Sequence, residues 1–164
     1  GRHADPNVFV QMDTYAVKGL QSGQIQFLYA PTHLNPTYEY GVTFERGTAV
    51  TYGDRKQIFI SGTASIDNQG EIMYPGDILK QTERMLENID TLLQEAGGGL
   101  QDIMQAIVYL RDPADYVVVK QYIESRYPSF LHLIVHAPVC RPGWLIETEC
   151  IAVIPADAPQ YACL

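Results

Sequence analysis

An α/β fold, with one mixed sheet and two helices packed on one of its faces, is what three features of the sequence predict. They are a long helical stripe, a capped and proline-started second helix, and a set of short β-branched runs around them. In the stripe, apolar side chains fall at Ile78, Leu79, Met85, Leu86, Ile89, Leu92, Leu93 and Ala96, the rhythm that lines one face of a helix. Asp77 supplies an N-cap and Gly97-Gly98-Gly99 a stop. The second helix starts at Asp112-Pro113, a cap followed by proline at the first helical position, and runs to about Tyr127, just before Pro128.

Strands are expected over 24–30, 41–50, 57–63, 103–110, 130–135 and 144–154. The run 103–110 is apolar at nearly every residue, which suits a strand covered on both faces. The order is therefore β, β, β, α, β, α, β, β. No internal repeat, low-complexity stretch or linker interrupts it. One domain over 40–155 is expected, with an N-terminal extension over 1–39 and a tail over 156–164.

With 46% hydrophobic and 18% charged residues among 164, the chain has the composition of a globular domain. No apolar run approaches the ~20 residues of a membrane span, so no membrane partner is expected. The start, Gly1-Arg2-His3-Ala4-Asp5, carries neither an initiator Met nor an apolar signal core, and a cytoplasmic location is expected. The formal charge is −8, from 11 basic against 19 acidic residues. Lys and Arg contacts to phosphate dominate nucleic-acid affinity, so this balance argues against a nucleic-acid partner. Cys140, Cys150 and Cys163 are odd in number and lack paired spacing, which fits a reducing compartment better than a disulfide framework.

The segment from Cys140 to Glu149 is the most informative for chemistry. On a strand, Glu147 and Glu149 share a face with Leu145, Ile151 and Val153. A carboxylate among apolar neighbours is desolvated, which raises its pKa and suits it to general acid work. The bland alternative is a wet edge or a pairing with arginines. If 130–135 and 144–149 form an antiparallel hairpin, Val135 faces Trp144 and His132 lies opposite Glu147, a workable acid/base pair. A structural hydrogen bond or a slipped register would remove that pair.

Ser61-Gly62-Thr63 ends a strand, where glycine permits close approach of a ligand, although glycine there is more often only a turn. His132, His136 and Cys140 would be spread ~13 Å end to end along a strand, so no metal is expected. No cofactor is expected either. Cys140 is by type more often a packed small side chain than a nucleophile. Arg46 and Arg141 could clamp a substrate carboxylate, though by frequency each is a solvated charge.

Taken together these residues resemble the RidA family, also called YjgF/UK114 and formerly labelled endoribonuclease L-PSP, over 40–155. The resemblance rests on ISGTAS at 60–65, the Asp67/Gly70 turn, QTERMLENIDTLLQEAG at 81–97, VYLRDPADYVVV at 108–119 and IETECIAV at 146–153. It implies a chorismate-mutase-like (YjgF-like) fold and a homotrimer with ligand clefts between neighbouring subunits. The family's deaminase branch hydrolyses enamines and imines, using a strand glutamate and an arginine that binds the substrate carboxylate. Glu147 matches that glutamate, whereas the arginine position is His132, the family's asparagine reads Lys120, and the tyrosine of its Pro-Tyr-Ser motif reads Phe44.

The run CRPGWLIE at 140–147 is similar to the C-terminal half of the chorismatases, whose glutamate protonates an enol ether. In one subclass a cysteine precedes that glutamate with the spacing of Cys140 and Glu147. NPTYEYGVTFERG at 35–47 would add Tyr40 and Arg46 as carboxylate ligands. The expectation is therefore a domain that binds a small carboxylate metabolite and acts like a chorismatase. Glu147 and His132 would do acid/base work, Arg46 and Arg141 would contact the anion, and Ser61, Gly62, Thr63 and Cys140 would line the cleft. The alternatives are an enamine/imine deaminase, or a non-catalytic ligand-binding trimer in which Glu147 titrates normally. The acidic composition argues against an endoribonuclease.

Overall fold

The computed structural model describes residues 5, 7–9 and 12–163, with the side chain of Tyr40 outside the described part. The helical stripe forms α1 (Ile78–Glu95), and the Asp77 side chain accepts from the Lys80 N–H at 3.0 Å, satisfying one of the donors a helix start leaves open. Behind it, Gly97 takes a left-handed φ of 88° and the Gly98 N–H returns to the Leu93 carbonyl at 2.9 Å. A side chain with a Cβ would be strained at Gly97, so the stop is conformational. The second helix has a 3-10 turn, Pro113–Asp115, before α2 (Tyr116–Arg126), and Asp112 caps that turn by accepting from the Ala114 N–H at 2.9 Å.

Six strands make one sheet: β1 (Ile25–Leu28), β2 (Gly47–Thr51), β3 (Arg55–Ala64), β4 (Ile103–Leu110), β5 (His132–His136) and β6 (Ile146–Pro155). Their spatial order is β1-β2-β3-β6-β4-β5. All neighbours are antiparallel except β4 and β5, which run parallel and are joined through α2, as a parallel pair requires a crossover. The expected strand over 41–50 shortens at its start. Thr37–Tyr40 forms a 3-10 helix closed by Gly41 at φ 75°, and 42–46 run on as an irregular segment.

One face of the sheet carries Ile58, Ile60, Ala106, Val108, Ile146, Cys150 and Ala152, all buried against Met85, Leu86, Ile89, Leu92 and Leu93 of α1 and Val119 and Ile123 of α2. Burying each such Leu or Ile contributes roughly 1.5–3 kcal/mol. The opposite face is open and carries Phe27, Phe59, Ile107, Glu147, Glu149 and Leu133, of which Phe27 is 49% and Leu133 62% exposed. Among the described residues no helix is long and apolar enough to cross a membrane.

The expected hairpin between the last two strands does not form. Because α2 returns the chain to the edge beside β4, β6 must pass over the end of β4 and insert between β4 and β3. His132 aligns with Ala106, which aligns with Cys150; Glu147 aligns with Tyr109, which aligns with Val135. Glu147 and His132 are therefore on different faces with a strand between them, and they make no acid/base pair.

Candidate functional site

The β3–β6 ladder breaks register between Ile60 and Thr63, and Ser61 and Gly62 occupy the irregularity. The Ser61 N–H donates to the Arg46 carbonyl at 3.1 Å and its hydroxyl donates to the Glu45 carbonyl at 2.6 Å, so the bulge is tied to the segment leading into β2. Glu147, the first glutamate of β6, lies directly over Gly62. A Cβ at Gly62 would collide with Glu147 Oε1 and sit 3.2 Å from its Cδ. Glycine is therefore required here by a carboxylate packed on the backbone.

Around this pair lies a cleft of about 360 Å³, lined by Phe44, Arg46, Ser61, Gly62, Cys140, Arg141, Trp144 and Glu147 together with the apolar Val42, Ala64 and Ile66. Burial, and after it the negative charge of Glu149, hold the Glu147 carboxyl above its ordinary value of 4.5. Glu149 in turn accepts from the Tyr109 hydroxyl at 3.0 Å. Burial and the two carboxylates push that phenol up to about 12, so it stays a donor. Glu149 is thus held by a tyrosine on the neighbouring strand.

Two guanidinium groups flank the cleft, each over an aromatic ring. Arg46 is only 5% exposed, buried where residue frequency alone favours a solvated charge. Its Nε and Nη2 donate to the Asn35 carbonyl at 3.2 and 2.9 Å, Nη2 also donates to Asn35 Oδ1 at 3.0 Å, and its Cζ lies 5.4 Å from the Phe44 ring centroid. Arg141 donates through Nη1 to the Gly70 carbonyl at 3.0 Å, with its Cζ 5.1 Å from the Trp144 ring.

The loop between β5 and β6, which carries Cys140, Arg141 and Trp144, is gripped through its backbone. Arg111, just past β4, donates to the carbonyls of Val139 at 2.6 Å, Arg141 at 2.7 Å and Trp144 at 2.7 Å. From α1, fully buried Gln81 donates to the carbonyls of Tyr74 and Gly143 at 3.2 and 3.0 Å and accepts from the Leu145 N–H at 2.9 Å. Part-buried and charge-assisted hydrogen bonds of this kind fix the rim of the cleft.

Six of the residues singled out from sequence thus line one cleft: Glu147, Arg46, Arg141, Ser61, Gly62 and Cys140. Three do not. Thr63 is buried on the helix-covered face, its hydroxyl donating to the Ser61 carbonyl at 2.9 Å. His132 lies on the edge strand, with Nδ1 2.8 Å from the Phe130 carbonyl and its ring stacked at 5.6 Å on Phe130, a structural hydrogen bond in place of a catalytic one. Tyr40 ends the 3-10 helix, and its side chain lies outside the described residues. Among the described residues no three His, Cys, Asp or Glu come together to hold a metal. Cys140 is exposed, whereas Cys150 is buried and its thiol is pushed up to about 12 by burial and then by Glu149.

The walls Phe44 and Trp144, the donor Tyr109 and the loop anchors Arg111 and Gln81 were not read from the sequence as parts of the site. Trp144 is the chain's single tryptophan and stands close before Glu147, a signal that could have marked it.

A half-buried acid thus stands on a bulge glycine in a cleft at the end of the helix-backed sheet of an α/β domain. Residues 47–154 match the family described as Endoribonuclease L-PSP, and the chain belongs to that family, the RidA/YjgF superfamily. The 3-aminoacrylate deaminase RutC of Acinetobacter baylyi is 31% identical over 97 residues, covering 58% of this chain and 77% of the relative. A RutC family protein of Pyrococcus abyssi is 35% identical over 97 residues, covering 58% and 76%. Among solved structures, RidA from an Antarctic Psychrobacter superposes with a TM-score of 0.64 at 24% identity, covering 79% of this chain and 99% of that one. E. coli TdcF with bound serine superposes at 0.64 with 21% identity, covering 79% and 98%. These structures share the fold.

Proposed function

We propose that the cleft binds a small carboxylate-bearing enamine or imine and that Glu147 moves the protons of its hydrolysis. The observation that carries this is Glu147 itself, half-buried over Gly62 and held above the ordinary carboxylate range, so that it is suited to deliver a proton and later to accept one. The name of the RutC relative from Acinetobacter baylyi, a 3-aminoacrylate deaminase, supports the same reaction class.

Protonated Glu147 gives its proton to the enamine carbon, and the nitrogen lone pair forms the C=N bond of an iminium. Water adds to the iminium carbon, the one bound to nitrogen, while the Glu147 carboxylate takes the water's proton. In the carbinolamine, Glu147 gives its proton to the nitrogen and takes the hydroxyl proton in exchange; the C–N bond breaks, ammonia leaves, and the oxygen lone pair forms the C=O of an oxo acid. Enamine plus water yields ammonia and an oxo acid, and Glu147 ends as it began. The positive charges of Arg46 and Arg141 at the cleft favour the substrate carboxylate electrostatically.

A second reading, protonation of an enol ether as in chorismatases, draws on Cys140 and Glu147 lining the same cleft. Both readings need the same acid, and substrate tests separate them. We further propose a homotrimer in which neighbouring copies cover the open face with its exposed Phe27 and Leu133. A single-chain mass by light scattering at micromolar concentration would overturn that assembly. The unpaired thiols fit a reducing, cytoplasmic setting.

The test of function is release of ammonia from an enamine acid such as 3-aminoacrylate, with chorismate hydrolysis run in parallel. Glu147→Gln should bind substrate yet lose about 10²–10⁴-fold in turnover, because the amide keeps the shape without an acidic proton. Full activity in Glu147→Gln removes the mechanism. A wild type that binds small acids but turns over neither substrate supports a non-catalytic ligand-binding domain instead.

A further inference from the structure

We propose that residues 12–18, the N-terminal arm of this chain, compete with a second copy of it for the open face of the sheet. While Tyr15 lies on Phe59 the second copy cannot seat there, and release of the arm admits it. The inference rests on copies meeting through that face and adds what controls the meeting. The arm lies ahead of the family match at 47–154, so it is a feature of this chain rather than of the matched domain.

Phe59 stands near the middle of the open face. It aligns with Thr48 of β2, which aligns with Phe27 of β1, and on its other side with Ile151 of β6. The Tyr15 ring packs on it from the arm, with centroids 5.7 Å apart and planes tilted by 37°. From there the chain runs on, turns at Lys18 and Gly19, and enters β1. Beside this contact the face is already closed. Val50 and Tyr52 on that side are only 8% and 1% exposed, and Arg55 lies over the Tyr52 ring at 4.7 Å. Burial, and after it the neighbouring Tyr15 hydroxyl, hold the Tyr52 phenol above its ordinary value of 10.0. At the far edge, on β5, Leu133 is 62% exposed. The face is closed where the arm lies and open away from it.

The hold is of a kind that a larger contact can displace. Tyr15 stays 67% exposed, and among the described residues 12–18 make no backbone hydrogen bond to a strand. Within that stretch the ring contact with Phe59 carries the hold, an aromatic pair of modest strength. Its advantage is the tether. Tyr15 stands ten residues before Ile25, the first of β1, and a segment tethered so closely meets its site at an effective concentration of about millimolar. A second copy at micromolar concentration displaces the arm only by burying a wider area of the face. Loss of the ring contact removes that threshold.

The experiment is sedimentation of the full chain over a micromolar to millimolar concentration series, with the rate of trypsin cleavage after Lys18 measured in parallel. Lys18 lies exposed at the turn that ends the arm, so its cleavage reports arm release. Tyr15→Ser removes the ring at a largely exposed position and spares the core. It should speed that cleavage and lower the concentration at which copies associate by about tenfold. Tyr15→Phe keeps the ring and should match wild type in both readouts.

Unchanged cleavage in Tyr15→Ser, or association no tighter than wild type, would overturn the proposal, and so would Tyr15→Phe behaving like Tyr15→Ser. Weaker association in Tyr15→Ser would make the arm part of the contact between copies instead of its competitor. A wild type assembled at every concentration would show the arm to be no barrier, sinking the proposal while leaving the assembly standing. Wild type and Tyr15→Ser both keeping a single-chain mass throughout would sink the two together. A single-chain wild type beside an assembled Tyr15→Ser supports the arm as the competitor.

Discussion

Gly62→Ala adds a single methyl group where Glu147 already lies. The new Cβ would collide with Oε1 and sit 3.2 Å from Cδ and 3.6 Å from Cγ, so the carboxylate must swing away. Gly62 is not among the residues with positive φ, and alanine therefore meets no backbone strain there. Two small stability effects oppose each other. Turning Glu147 from its rotamer costs about 0.5–1.5 kcal/mol, and replacing glycine restricts the unfolded chain by about 0.4–1 kcal/mol. Net stability should therefore stay within about 1 kcal/mol of wild type in urea unfolding. Turnover should not stay level. A catalytic group displaced by 1 Å loses on the order of 10²-fold, about 2.7 kcal/mol of barrier. The expected signature is a stable protein with a crippled rate. Full turnover would show that the seat of Glu147 on Gly62 is irrelevant to chemistry. A stability loss beyond about 3 kcal/mol would show that Glu147 has nowhere else to go.

Two further outcomes follow from the same geometry. The Glu147 carboxyl binds its proton more tightly folded than unfolded, so its contribution to stability is present below 4.5 and fades as pH rises through its raised value. Unfolding free energy should thus fall with rising pH just above 4.5, and Glu147→Gln should flatten that slope and stabilise the protein at neutral pH; an identical slope in the variant would refute this. Gln81→Leu would leave the half-buried Gly143 carbonyl and Leu145 N–H without their side-chain partner and should cost about 1–3 kcal/mol, with no measurable loss in urea unfolding counting against it.

The sequence was most legible where structure is local. α1 could be read because its stripe repeats and because Asp77 and Gly97 punctuate it chemically. The strands were visible as apolar runs, but their partners were not, since pairing is a long-range property that period-2 patterns do not encode. The short loop before β6 suggested a hairpin, whereas the parallel β4–β5 pair leaves β6 to fill the place between β3 and β4. That single misplacement moved His132 into the site and kept Tyr109 out of it. Glu147 was legible because a carboxylate inside an otherwise apolar strand already signals desolvation. The burial of Arg46 was not legible because arginine is usually solvated, and the Asn35 carbonyl that holds it lies on an irregular stretch no periodicity marks. Phe44 and Trp144 are ordinary aromatics until the loop and the lead-in to β2 are brought together.

The grip of Arg111 bears on how such a cleft can diversify. Its three bonds are to the backbone carbonyls of Val139, Arg141 and Trp144, groups that every residue type provides. Exchanging the side chains of this loop leaves those acceptors in place. Over evolutionary time the rim can therefore be rewritten one residue at a time, trading Cys140 or Trp144 for other chemistries, while the chain path and the acid beneath it persist. A library randomised over the loop side chains should yield many folded proteins with altered ligand preference, and one randomised at Arg111 very few.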